Sequence, residues 1–86
     1  NFQFYNHDFL LGKSQKNSEI FDVLIYARSD ITDAVIPPQV KIIKEMSFGY
    51  HKNLKSVKFT NNAIPISIER DAFMYNNSNT LFTNND

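Results

Sequence analysis

Apolar residues recur along this chain in short groups separated by polar links. Phe2, Phe4, Phe9-Leu10-Leu11 and Ile20-Phe21 alternate with polar stretches near the N-terminal end. Residues 12–18 are polar and read as the loop of a hairpin between roughly 8–11 and 20–27. The run FDVLIYA, residues 21–27, is rich in β-branched and aromatic side chains. It has no polar stripe at helical spacing, so it predicts a strand covered on both faces. After Asp30 the pattern changes. Ile31, Ala34 and Ile36 have the same spacing as Leu54, Val57 and Phe59, at an offset of 23 residues. Between them lie Val40, Ile43 and Phe48. This order predicts a strand, a turn at Pro37-Pro38, a second short extended piece, and a tight helical turn that points Phe48 inward.

A second copy of the pattern follows. IIKEMSF, residues 42–48, is echoed by ISIERDAF, residues 66–73. In both, an isoleucine (Ile43, Ile68) stands five residues before a phenylalanine (Phe48, Phe73), and a small residue (Ser47, Ala72) precedes that phenylalanine. The small residue leaves room on a tight outer turn. The phenylalanines are 25 residues apart, which implies about two inserted residues near Asn61-Asn62. The next strand falls at Leu81-Phe82, after a link running from Tyr75 to Asn79. Asparagines at 61–62, 76–77, 79 and 84–85 lie between apolar clusters and read as turns, because Asn tolerates turn geometry and bonds its own backbone. A period of 23 to 25 lies in the range of about 20–29 residues of leucine-rich solenoids. Stacked units would then share one apolar column that no single unit could bury.

The segment IPPQVKIIKEMSFGYHKNLKSVKF resembles a BspA-type leucine-rich repeat. Ile36-Pro37, Val40, Ile43, Ser47-Phe48, Leu54, Val57 and Phe59 occupy the places of that family's repeated residues. The likeness is clear over 21–59, weaker over 60–82 and thin over 1–20. Ser47 stands where the family usually has alanine, and His51 where it often has a buried cysteine, so that position is expected to be solvated here. Ile64-Pro65 reads as a shifted second Ile-Pro. The resemblance implies a non-enzymatic surface or secreted protein that recognises other proteins or serves in adhesion, as in oral bacteria and parasitic protists. It supplies no catalytic residues.

Composition narrows the functional classes. The 86 residues make one small domain or part of a larger protein, and the absence of cysteine rules out disulfide staples. The chain begins at Asn1, from which we expect a processed or longer protein. Net charge is zero, so no global field draws the chain to nucleic acid or an anionic membrane. The longest apolar run, Val23 to Ala27, is far short of the roughly 20 residues of a spanning helix. His7 and His51 are 44 residues apart with no ligand-spaced companions, so no metal site is expected. Asp30 and Asp33 could face each other but read as a solvated turn. There is no nucleophile motif, and Gly12 and Gly49 are too few for a phosphate-cradling loop. Asn76-Asn77-Ser78 matches a glycosylation acceptor.

One charge feature remains. Lys41, Lys44, His51, Lys52, Lys55 and Lys58 cluster against the single acid Glu45. They form either a solvated face or a patch for an acidic partner. With inward residues alternating along each strand, Asp33 and Val35 of one strand and Ser56 and Lys58 of its neighbour face outward, with Lys55 beside them. These five are the candidate partner-binding residues. The expectation is a β-rich α/β solenoid: a leucine-rich-repeat-like stack with short strands, short helical turns and an N-terminal β-hairpin. Its parts are a lead-in over 1–30, a first repeat over 31–59 and an irregular second repeat over 60–86. The expected function is non-enzymatic protein recognition or adhesion within a larger repeat protein. The alternative is a structural component packed into an assembly. Catalytic residues, cofactors, nucleic acid, membrane insertion and small-molecule ligands are not expected.

Overall fold

The computed structural model describes residues 1–60 and 65–84. Its elements are all strands: β1 (Gln3–Tyr5), β2 (Phe9–Gly12), β3 (Val23–Ala27), β4 (Asp33–Ile36), β5 (Ile42–Ile43), β6 (Ser56–Phe59), β7 (Ser67–Ile68) and β8 (Leu81–Asn84). They form two sheets, one ordered β1-β2-β3-β5-β7 and the other β4-β6-β8.

The first sheet begins as an antiparallel meander. Asn6 and His7 turn β1 into β2 in the left-handed region, at φ 52° and 61°. Two consecutive positive-φ residues give a turn whose twist matches that of the flanking strands. β2 then pairs with β3, with a register shift between Leu10 and Leu11. The link 13–22 closes the expected hairpin, whose second strand begins at Val23 rather than near residue 20. Of the strand anticipated to be covered on both faces, Val23, Leu24 and Ala27 are buried, whereas Tyr26 is 48% exposed.

From β3 onward every pairing is parallel. Leu24 pairs with Ile43, and Ile43 with Ile68. In the second sheet Ala34 pairs with Val57, and Val57 with Phe82. The side chains from both sheets meet in one core that includes Leu11, Leu24, Ile36, Ile43, Phe48, Leu54 and Val57. The echo between IIKEMSF and ISIERDAF therefore lies side by side in space. Phe48 stacks on Phe73 with ring centroids 4.7 Å apart and planes at 19°. Ser47 and Ala72 are both buried.

The expected α/β solenoid with helical turns is corrected by these findings. Among the described residues there is no helix. The chain forms a compact all-β globule of 38 × 27 × 24 Å with a radius of gyration of 12.2 Å. The reason is local. Around Phe48 the backbone bends through turns closed by Ser47 N–H to Lys44 O and Gly49 N–H to Met46 O. Met46 and Tyr50 adopt φ 61° and 64°, which an α-helix does not accept. Intervening N–H groups bond across the molecule instead of along a helix. Met46 donates to Asp71 O at 3.1 Å, Phe48 to Ala72 O at 2.8 Å, and Tyr50 to Met74 O at 2.8 Å.

The proline turn holds through Val40 N–H donating to Pro37 O at 3.1 Å. The asparagine turn at 77–80 holds through Thr80 N–H to Asn77 O and Asn79 N–H to Asn77 Oδ1. Asn84, in contrast, belongs to β8. The turn expected at Asn61-Asn62, the shifted Ile64 and the asparagine at 85 lie outside the described residues.

Candidate recognition surface

The outward face of the β4-β6-β8 sheet collects Asp33, Val35, Ser56 and Lys58, with the exposed Lys55 immediately before β6. Alternation along each strand sends Ala34, Ile36 and Val57 into the core and leaves Asp33, Val35 and Lys58 exposed. The register aligns Asp33 with Ser56 and Leu81, and Val35 with Lys58 and Thr83. The result is two cross-strand rows. Val35 is 53% exposed and Leu81 62% exposed, so the face is partly apolar.

Ser56 Oγ donates to Asp33 Oδ1 at 2.7 Å, and Thr32 Oγ1 donates to Asp33 Oδ2 at 3.3 Å. These bonds occupy the carboxylate from its own side of the sheet. Lys55 is pinned by its backbone: its N–H donates to Thr32 O at 2.6 Å, and its carbonyl accepts from Leu81 N–H at 2.9 Å. Its side chain stays exposed, as does that of Lys58. Among the described residues neither ammonium forms an ion pair.

Lys41 and Lys44 of the basic run do not join this face. Lys41 Nζ reaches Asp22 Oδ2 at 3.4 Å, and Lys44 Nζ reaches Glu69 Oε2 at 3.3 Å. Burial works to raise the Asp22 carboxyl but is outweighed: Ser14 bonds it through both hydroxyl and N–H, and Lys41 adds to them, so it lies below its ordinary value. The Glu69 carboxyl is also lowered, first by the bond from Glu45 N–H and then by Lys44, against a smaller opposing effect of burial. Asp30 is not set against Asp33; its carboxylate pairs with Arg28.

His51 corrects another expectation. It is not solvated but 1% exposed. Nδ1 lies 2.8 Å from Gly49 O and Nε2 2.8 Å from Ala27 O. A neutral ring donates to one of these carbonyls, and an imidazolium donates to both. The ring also packs against Phe48, at 5.6 Å between centroids.

The glycosylation acceptor is packed into the structure. The amide nitrogen of Asn76, the atom a glycan would join, is buried without a hydrogen-bond partner. Among the described residues no group of three or more His, Asp or Glu side chains is placed to hold a metal ion. Nor is any helix among them long and apolar enough to cross a membrane.

Compared with family models, with curated proteins and with solved structures, the chain matches none. Repeat identity, an adhesive role and a protist source thus gain no support from any relative and are dropped as descriptions of this chain. The recognition surface rests on its own geometry.

Proposed function

We propose that this domain is a non-enzymatic protein-recognition module that takes an acidic, extended segment of another protein on the β4-β6-β8 sheet. The observation that carries this reading is the pair Lys55 and Lys58. Both are exposed and without an ion pair among the described residues, and they stand beside the exposed apolar Val35 and Leu81. A segment that alternates carboxylate and aliphatic side chains complements that mixture. Among the described residues β8 is the last strand of its sheet and pairs only with β6, so its outer edge can supply main-chain hydrogen bonds to such a segment. Side chains on the outward rows then read alternate positions of the guest.

A synthetic peptide alternating Glu and Val tests this by NMR titration. Amide signals of β6 and β8 are expected to shift. The double variant Lys55→Glu/Lys58→Glu should weaken binding about tenfold, and added salt should weaken it further. Unchanged affinity in the double variant sinks the proposal.

A second reading is a structural part packed into a larger assembly, with no soluble ligand. It is favoured by the apolar side chains exposed where both sheets end: Ile68 at 48%, Leu81 at 62% and Phe82 at 47%. Burial of Lys55 and Lys58 against a neighbouring chain in an intact assembly would select it.

A further inference from the structure

The opposite side of the molecule carries a different feature. A cleft of about 440 Å³ opens on the first sheet, where β2, β3 and β5 lie side by side and the 13–16 loop overhangs them. Its volume falls within the roughly 300–1,000 Å³ of small-molecule sites. Phe2, Ile25 and Ile42 give it an apolar floor, and Lys13, Lys16 and Lys44 give it a cationic rim.

Gly12 shapes the floor. Its φ is not in the left-handed region, so the backbone there does not call for glycine. Space does. A Cβ at position 12 would lie 2.6 Å from Ile25 Cδ1. Glycine lets Ile25 lie down across β2 instead of being pushed up into the cleft.

The rim is held in place. Ser14 N–H donates to Asp22 Oδ1 at 2.8 Å and its hydroxyl to Oδ2 at 2.6 Å, which ties the overhanging loop to the start of β3. Lys13 Nζ sits 4.9 Å above the Phe21 ring, a contact that fixes the ammonium while leaving its hydrogens free to donate. Lys16 is exposed and makes no ion pair among the described residues. Lys44 is shared with Glu69, the single acid on the lining. Positive charge is thus in excess, and it is concentrated at the 13–16 loop, away from Glu69.

We propose that this cleft binds a monoanionic amphiphile, an alkyl carboxylate. Its head group takes hydrogen bonds from Lys13 and Lys16, and its tail lies over Ile25 and Ile42. The branched aliphatic floor matches an alkyl chain. Lys44 offsets Glu69, and the two ammonium groups left over, Lys13 and Lys16, can each donate to one oxygen of a single carboxylate head group.

The probe is decanoate below its micelle concentration, with decanol and acetate as comparisons, followed by backbone NMR. Decanoate is expected to shift amides at Gly12, Ile25 and Ile42, and to bind about tenfold more tightly than either comparison. The double variant Lys13→Glu/Lys16→Glu, on an exposed loop, should lose about tenfold in affinity while keeping the native spectrum. Lys55→Glu/Lys58→Glu should leave decanoate binding unchanged, which separates this cleft from the β4-β6-β8 face. The proposal is overturned if decanoate instead shifts Ile68 and Phe82, if decanol binds equally well, or if the Lys13/Lys16 reversal has no effect.

Discussion

Leu24, Ile43 and Ile68 stand in one hydrogen-bonded register, as do Ala34, Val57 and Phe82. At one end of each row the side chains vanish from solvent: Leu24 and Ile43 are 0% exposed, Ala34 1% and Val57 0%. At the other end Ile68 is 48% exposed and Phe82 47%. The residues at the open end are no less apolar than those at the closed end. What differs is the neighbour. In the first sheet β1 and β2 cover the flank of β3, whereas β7 pairs only with β5 among the described residues; in the second sheet β4 and β8 are both end strands. In the first sheet the presence of a next strand thus separates a buried register position from an exposed one, whereas in the second Ala34 is buried and Phe82 exposed although both lie on end strands.

Substitutions along the stacked aromatic rings test this difference most strongly. Phe48 is fully buried between Phe9 and Phe73. Phe48→Ala should cost about 3–5 kcal/mol of unfolding free energy in urea titrations, as for other buried phenylalanines. Phe82→Ala should cost less than about 1 kcal/mol, because much of that ring is already in water. Equal losses at the two positions would break the comparison.

His51 comes next. His51→Leu keeps the volume but removes the ring N–H that one of the Gly49 and Ala27 carbonyls accepts. Thermal unfolding should report a loss of about 2 kcal/mol, the cost of unsatisfied buried polar groups. Ser47→Ala should go the other way. The Ser47 hydroxyl is buried and has no hydrogen-bond partner, so its removal should raise stability by about 1 kcal/mol on the same measurement.

The smallest effect is electrostatic and confined to acid. Asp22 titrates below the ordinary aspartate value in the folded chain. Its ionised form therefore favours folding above the unfolded-state value, and that contribution is lost as pH falls through the lower folded-state value. Asp22→Asn should flatten the decline of the urea midpoint between pH 5 and pH 2, by comparison with the parent chain. An identical acid limb in the variant would show that the Ser14–Asp22–Lys41 contacts do not matter to folding.

Much of the strand layout could be read from side-chain alternation alone. The triplets Ile31, Ala34, Ile36 and Leu54, Val57, Phe59 placed β4 and β6 and assigned Asp33, Val35, Ser56 and Lys58 to the outward face. Period-two alternation leaves little freedom once the inward residues are known. The turns were harder. Non-glycine residues hold positive φ at Asn6, His7, Met46, Tyr50, Asp71 and Tyr75, and apolar spacing carries no sign of that. Hence β1 was missed as a separate strand, and the bends beside Phe48 read as helical. The partners of the basic run could not be read from the sequence. Lys41 and Lys44 find Asp22 and Glu69, and those partners are set by parallel register over long separations. The cleft was invisible for a similar reason, since its floor is drawn from three strands that meet only after folding.

Amide hydrogen exchange tests the contrast between the closed and open ends most directly. The account predicts that amides of β3, paired on both sides, exchange only through global unfolding, while those of β8 exchange through local opening at a far lower free energy. Equal protection of β3 and β8 in the isolated domain would contradict it.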